Sequence, residues 1–148
     1  MRMKRCCVWM LAMVLLLMIL NLPVTVYAAT EQQSGEYVYT VHNDGTVEIT
    51  EYKGHTTANL KIPSTLDGKK VTAIGETVFM RRDELKTVTV PDGVQTIGSF
   101  AFAYCYNLKS VSLPNGLKDI ARGAFNNCNM LTEPQIPETV THVGSDAF

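Results

Sequence analysis

Residues 85–107, LKTVTVPDGVQTIGSFAFAYCYN, carry a pattern that recurs along the chain. Shifts of 23 residues superimpose positions of the same character: Leu85 on Leu108 and Leu131, Pro91 on Pro114 and Pro137, Ile97 on Ile120 and Val143, and Phe79 on Phe102, Phe125 and Phe148. Self-similarity at a fixed period of roughly 20–50 residues is typical of solenoids. Each unit of a solenoid is too small to fold alone and buries its apolar side against the next unit. The sequence therefore predicts a stack of such units.

Each unit has the composition of a short strand followed by a tight turn. Val88-Thr89-Val90 alternates apolar and polar side chains, which predicts a strand with one buried face. Pro91-Asp92-Gly93 suits a turn, because Pro restricts φ and Gly tolerates the conformation that ends the turn. We expect Phe100–Ala103 to form a short helical turn before the next strand. Strands of successive units in register would form a parallel sheet with a spacing of about 4.8 Å.

The repeats are preceded by a segment of different character. Two runs rich in aromatic and β-branched residues, Tyr37–His42 and Thr46–Tyr52, flank Asn43-Asp44-Gly45, and this arrangement is typical of a β-hairpin. The first unit of a solenoid has one face without a neighbour, so we expect the hairpin to cap it. The sequence thus predicts a lead-in and β-hairpin cap over residues 29–57 and repeats over residues 58–148.

Two irregularities interrupt the repeat. Five extra residues around 66–70 lengthen the first unit, and we expect this turn-rich insertion to be a loop. The pattern stops at Phe148, in the middle of a unit, without a capping segment. An exposed last face would favour aggregation. We therefore expect the last repeat to be truncated, as a piece of a longer protein, or to be covered by a partner.

The first residues have the character of a secretory signal peptide. Three basic side chains precede an uninterrupted apolar run, Val8–Leu20. Val26-Tyr27-Ala28 has the small-x-small form of a cleavage site, so residues 1–28 are predicted to be removed on secretion. An uncleaved membrane anchor is the alternative, because the apolar segment is about long enough to span a bilayer, but Asn21 and Pro23 interrupt it.

Charge and motifs argue against nucleic-acid binding and catalysis. Without the predicted signal peptide, the chain has 10 basic and 14 acidic side chains, whereas nucleic-acid binding needs clustered Lys and Arg. The sequence contains no H-E-x-x-H, G-x-S-x-G, P-loop, G-x-G-x-x-G or C-x-x-C motif. His42, His55 and His142 lie far apart and are interpreted as surface residues. We predict no catalytic residue, no metal site and no cofactor.

The recurring positions follow L-x-x-V-x-V-P-x-x-V-x-x-I-G-x-x-A-F-x-x-C-x-x-L over about residues 60–148. In this respect the chain resembles the BspA-type leucine-rich repeat of bacterial surface proteins. It departs from the pattern at Arg82, which replaces the cysteine seen at Cys105 and Cys128, and at Pro134, which replaces a strand Val. The resemblance implies a right-handed leucine-rich-repeat solenoid of short parallel strands, turns and short helices, secreted or displayed at the cell surface.

The resemblance also implies a non-catalytic binding or adhesion module for a protein or glycan ligand. The candidate binding strip consists of the polar strand residues that alternate away from the core: Asn59, Lys61, Thr87, Thr89, Ser110, Ser112, Glu133 and Gln135. The strip has a second interpretation as a solvated sheet face without a ligand. Two other functions stay open: a structural spacer that displays another domain, and the recognition part of a longer secreted enzyme.

Aromatic residues fall into two groups. Phe79, Phe102, Phe125 and Phe148 recur at the repeat period, which favours a core ladder over a stacking platform for sugars. Tyr104 and Tyr106 have no counterparts in the neighbouring units. They are candidates for exposed aromatic contacts.

Cys105 and Cys128 occupy one repeat position, so their Cα atoms should lie about 5 Å apart, within disulfide range. Side chains at equivalent positions point in parallel, however, and free Cys is among the most often buried residue types. We therefore expect two buried thiols rather than a disulfide. A thiol titration of the secreted protein, unfolded without reductant, should find two reactive thiols per chain. Finding none would indicate a disulfide.

Overall fold

Equivalent strand residues of successive units lie beside one another, and the chain winds as a solenoid. The computed structural model describes residues 30–148 except Thr56, so the predicted signal peptide lies outside the described residues. The strands are β1 (Gln32–Ser34), β2 (Tyr37–Val41), β3 (Val47–Tyr52), β4 (Asn59–Lys61), β5 (Thr65–Leu66), β6 (Lys69–Ile74), β7 (Thr87–Thr89), β8 (Thr96–Ile97), β9 (Ser110–Ser112), β10 (Asp119–Ile120) and β11 (His142–Val143).

Two sheets run along the stack. The first is parallel, has the order β4-β7-β9, and places Leu60 beside Val88 and Val88 beside Val111. The second has the order β1-β2-β3-β6-β8-β10-β11, with β5 paired to β6, and its parallel part places Ile74 beside Ile97. This register repeats at every unit, which confirms the predicted leucine-rich-repeat solenoid.

The third side of each unit is built from tight turns and contains no helix within the described residues, so the predicted helical turn at Phe100–Ala103 is wrong. Phe100 and Tyr104 have φ values of 57° and 62°, and their equivalents Gly123 and Asn127 have 61° and 59°. A right-handed helix cannot contain such left-handed residues. Each unit thus has two left-handed residues four positions apart, and this pair gives the turn its shape.

Amides on this third side bond to the neighbouring unit rather than within a helix. Phe102 N donates to Ala124 O at 2.8 Å, and Tyr104 N donates to Asn126 O at 2.8 Å. The alternate amides, Ala101 N and Ala103 N, donate within the turn to Gly98 O and Phe100 O. The turn backbone is thus satisfied partly across units and partly within the unit.

An aromatic ladder fills the interior beside these turns. The ring centroids of Phe79 and Phe102 lie 5.1 Å apart, those of Phe102 and Phe125 5.2 Å, and those of Phe125 and Phe148 5.3 Å, with the planes within 8° of parallel. Tyr52 of β3 extends the ladder at 5.3 Å from Phe79. The first three phenylalanines are 0% exposed, whereas Phe148 is 44% exposed. The core interpretation of the repeated phenylalanines is confirmed for these three.

The cysteines also follow the repeat. Cys105 and Cys128 are free and buried, as expected. Their thiols donate to the carbonyls of the ladder phenylalanines in the preceding unit, at 3.2 and 3.1 Å. The hydrogen bond with Cys128 and burial together raise the pKa of the Cys105 thiol. Arg82 takes this place in the first unit, where its guanidinium donates to Tyr52 O at 2.6 Å.

The β-hairpin cap is formed by β2 and β3, and β3 joins the second sheet with Ile49 beside Ile74. The insertion, expected to be a loop, is a short β-hairpin of β5 and β6. The Asp67 carboxylate at its tip accepts hydrogen bonds from the hydroxyls of Ser34 and Tyr39, each at 2.7 Å. These bonds hold the pKa of Asp67 below its usual value. The insertion thus ties the first unit to the cap.

Phe102→Ala should destabilise the protein by about 3–5 kcal/mol, because it removes a fully buried ring and leaves a cavity. Urea unfolding followed by circular dichroism measures this loss. Tyr106→Ala is the control: its ring is 45% exposed, so the change should stay within about 0.5 kcal/mol. Similar losses in the two variants would contradict the ladder as the core of the stack.

Thr77→Gly should stabilise the protein, because Thr77 is exposed and has a φ of 59°. Relief of the left-handed conformation stabilises the folded protein by about 1–2 kcal/mol. The greater chain entropy of Gly in the unfolded state offsets about 0.5–1 kcal/mol of this gain. Glu76→Gly at the adjacent exposed position, where no such relief applies, should destabilise instead. Equal losses in the two unfolding experiments would be inconsistent with strain at the turn.

Candidate functional site: the polar strip and its groove

The predicted binding residues of the first three repeats lie together on the outer face of the first sheet. The register of β4, β7 and β9 aligns them across the strands, while the residues between them, Leu60, Val88 and Val111, point into the core. Two rows of outward side chains result: Asn59, Thr87 and Ser110 in one, and Lys61, Thr89 and Ser112 in the other. We call these six residues the polar strip.

The last predicted pair, Glu133 and Gln135, does not extend the strip. No strand forms among residues 131–137, so the expected fourth strand is wrong. Glu133 has a φ of 44°, outside the extended range of a strand, and Pro134 has no amide hydrogen to donate to a neighbour. Gln135 Nε2 instead donates locally to Glu133 O at 3.2 Å.

Most polar groups of the strip have no side-chain partner among the described residues. Thr87 Oγ1 donates to Asn59 Oδ1 at 2.8 Å, which links the first two strands. Within residues 30–148 other than Thr56, no other side-chain hydrogen bond or ion pair involves the remaining four members, Lys61, Thr89, Ser110 and Ser112. Their hydroxyl and ammonium groups face solvent and are available to a ligand.

A groove of about 380 Å³ lies where β7 and β9 end. It is lined by matching positions of two successive units: Thr89, Val90, Pro91 and Asp92 from one, and Ser112, Leu113, Pro114 and Asn115 from the next. Thr89 and Ser112 belong to the polar strip, so the groove continues the strip past the strand ends. Sequence reasoning missed it, although the repeated apolar-Pro-Asp/Asn segment after each strand was a visible signal.

The two ends of this face differ in charge. Lys86 and Lys109 immediately precede β7 and β9, are exposed, and have no acidic partner within 4.0 Å among the described residues. Asp92 is exposed at the groove. A ligand that crosses the sheet from strand start to strand end therefore meets cations first, then hydroxyls, then a carboxylate.

The histidines that the sequence analysis considered for catalysis or metal binding lie apart from the strip. His42, His55 and His142 are exposed and separate, and His42 Nε2 lies 3.8 Å from a Glu48 carboxylate oxygen. Within residues 30–148 other than Thr56, no three His, Cys, Asp or Glu side chains are grouped in a way that would hold a metal ion. The same residues contain no helix with the length and apolarity that a bilayer span requires.

Comparison of the sequence with protein families gives one clear similarity. The pattern of the BspA-type leucine-rich repeat region matches residues 47–148 in six copies. The match begins inside β3, so it includes the second strand of the β-hairpin cap. No curated protein is significantly similar to the chain.

Solved structures show the same architecture. The chain resembles the T. pallidum leucine-rich repeat protein with 30% identity and a TM-score of 0.73, over 79% of this chain and 55% of that one. A Bacteroides capillosus leucine-rich repeat protein is 36% identical with a TM-score of 0.69, over 76% and 86% of the two chains. A Bacteroides ovatus leucine-rich repeat protein is 27% identical with a TM-score of 0.69, over 79% and 32%. The chain thus spans about half the length of the T. pallidum protein.

Proposed function

Because the chain belongs to the BspA-type leucine-rich repeat family, we propose that it is a non-catalytic binding module, secreted or displayed at the bacterial surface, that holds a protein or glycan ligand on the polar strip. The observation that carries the proposal is the alignment of solvent-facing polar side chains across three strands beside a groove, with hydroxyls on β7 and β9. Fold alone does not decide function, so the support for a binding role comes from the chemistry of this surface.

The strip is a rigid array of hydrogen-bonding groups. The hydroxyls lie on the paired strands β7 and β9; β7 bonds to a strand on each side and β9 bonds to β7, with a strand spacing of about 4.8 Å. Thr and Ser hydroxyls both donate and accept hydrogen bonds. An array of this kind matches a ligand with polar groups at short, regular intervals, such as an extended peptide backbone or a sugar chain.

The groove supplies what the strip lacks, namely a concavity in which apolar side chains lie beside polar ones. Pro91 and Pro114 line its walls, together with the partly buried Leu113. Burial of apolar ligand atoms in such a concavity contributes affinity, while the hydroxyls at its edge fix orientation. We therefore place the centre of the contact between β7 and β9, with Lys86 and Lys109 at its outer end.

The double variant Thr89→Ala, Ser112→Ala should bind the ligand about tenfold more weakly. Each of the two substitutions removes a hydrogen bond worth about 0.5–1.5 kcal/mol. Glycan and matrix-protein arrays identify the ligand of the unmodified protein, and titration calorimetry then compares the variants. Ser99→Ala combined with Ser145→Ala removes two hydroxyls outside the strip and should leave affinity unchanged. Unaltered binding by the strip variant would exclude this face, and an array without any ligand would favour the structural spacer.

A further inference from the structure

A cluster on the third side of the solenoid has no place in the repeat pattern. The rings of Tyr104 and Tyr106 meet edge to face with their centroids 6.2 Å apart, and Tyr106 is 45% exposed. The Arg81 guanidinium of the preceding unit lies 5.6 Å from the Tyr104 ring centroid. The Arg122 guanidinium of the following unit lies 5.8 Å from the centroid of Phe100. We call these five residues the aromatic–arginine patch.

The stack does not require aromatic side chains here. Phe100 and Tyr104 both have left-handed φ values, which are unfavourable for residues with a large side chain. The next unit adopts the same conformation with Gly123 and Asn127, residues that tolerate it better. The position of Tyr106 is occupied by Asn129 in that unit. The Phe100 ring covers Gly123 of the next unit, where a larger side chain would collide with it, whereas the rings of Tyr104 and Tyr106 are not explained by the repeat.

The two arginines of the patch lack acidic partners. The ion pairs among residues 30–148 other than Thr56 are His42 with Glu48 and Lys53 with Glu51, and neither involves the patch. Arg81 and Arg122 are exposed. The Arg81 and Arg122 guanidinium groups lie near the rings of Tyr104 and Phe100, and an exposed guanidinium can donate two N–H groups to one carboxylate.

We propose that the aromatic–arginine patch is a second docking surface, separate from the polar strip, for an extended acidic segment of a partner protein. Tyr and Arg are the residue types that dominate the centres of protein interfaces. Arg81 and Arg122 come from units two apart, about 10 Å along the stack, and from different positions of the turn, so an extended segment needs at least three residues to connect them. Two carboxylates at that separation would pair with both guanidinium groups while the chain between them crosses the tyrosine rings.

A fluorescein-labelled deca-glutamate peptide is the probe, and fluorescence anisotropy at low salt measures its binding to the purified protein. Arg81→Gln combined with Arg122→Gln should weaken binding at least tenfold. Tyr104→Asn, which copies the residue of the next unit, should weaken binding by a similar factor while the unfolding midpoint stays the same or rises. A purely structural tyrosine would give the reverse, with a lower midpoint and unchanged binding.

The matched control for charge is Lys70→Gln combined with Lys118→Gln, which removes two exposed cations elsewhere on the surface. It should bind the peptide as the unmodified protein does. Equal weakening in this control would show non-specific attraction and overturn the proposal, as would unchanged binding in the double arginine variant. Binding of an oligogalacturonate in place of the peptide would assign the patch to an acidic glycan and equally overturn it.

Discussion

The contact between equivalent positions of successive units is the interaction on which the rest of this structure depends. Phe79, Phe102 and Phe125 stack at 5.1–5.2 Å, close to the spacing of hydrogen-bonded strands, so rings and backbones share one repeat distance. The apolar side chains and many of the backbone amides of a unit are satisfied by its neighbour rather than inside the unit, because the matching groups belong to that neighbour. Even the thiols and Arg82 follow this rule, since each donates to a carbonyl one unit back.

This constraint separates residues that build the stack from residues that are free to act. Inward positions repeat in size and shape, because any change leaves a cavity or a clash in two units at once. Outward positions vary from unit to unit without disturbing the register. The polar strip and the aromatic–arginine patch both consist of outward residues, but they differ in kind. The strip repeats along the sheet, whereas Tyr104 and Tyr106 occur in one unit only.

The predictable part of the structure follows the same division. The period, the inward ladder, the β-hairpin cap and the register of Asn59, Thr87 and Ser110 could be read from the sequence, because alternation and spacing report which side of a strand a residue occupies. The turns could not. Phe100 and Thr77 carry no residue signal for a left-handed φ, and stacking against the next unit imposes that conformation despite their local preferences. The missing fourth strand was signalled by Pro134, but its effect on Glu133 and Gln135 required the backbone geometry.

The length of the paired sheet limits what the strip can do. Within the described residues, three strands pair in the first sheet, so the strip is two strand spacings long, about 10 Å. An extended ligand lying along the stack meets it with about three residues, and hydrogen bonds worth about 1 kcal/mol each sum to a modest affinity. Additional paired strands that carry a hydroxyl pair, as β7 and β9 do, would increase the affinity of the proposed contact in nearly equal steps. If the strip binds as proposed, the break at Pro134 matters, because pairing of the first sheet ends at β9 within the described residues. Tighter binding would then come from the groove beyond the strand ends or from a second surface.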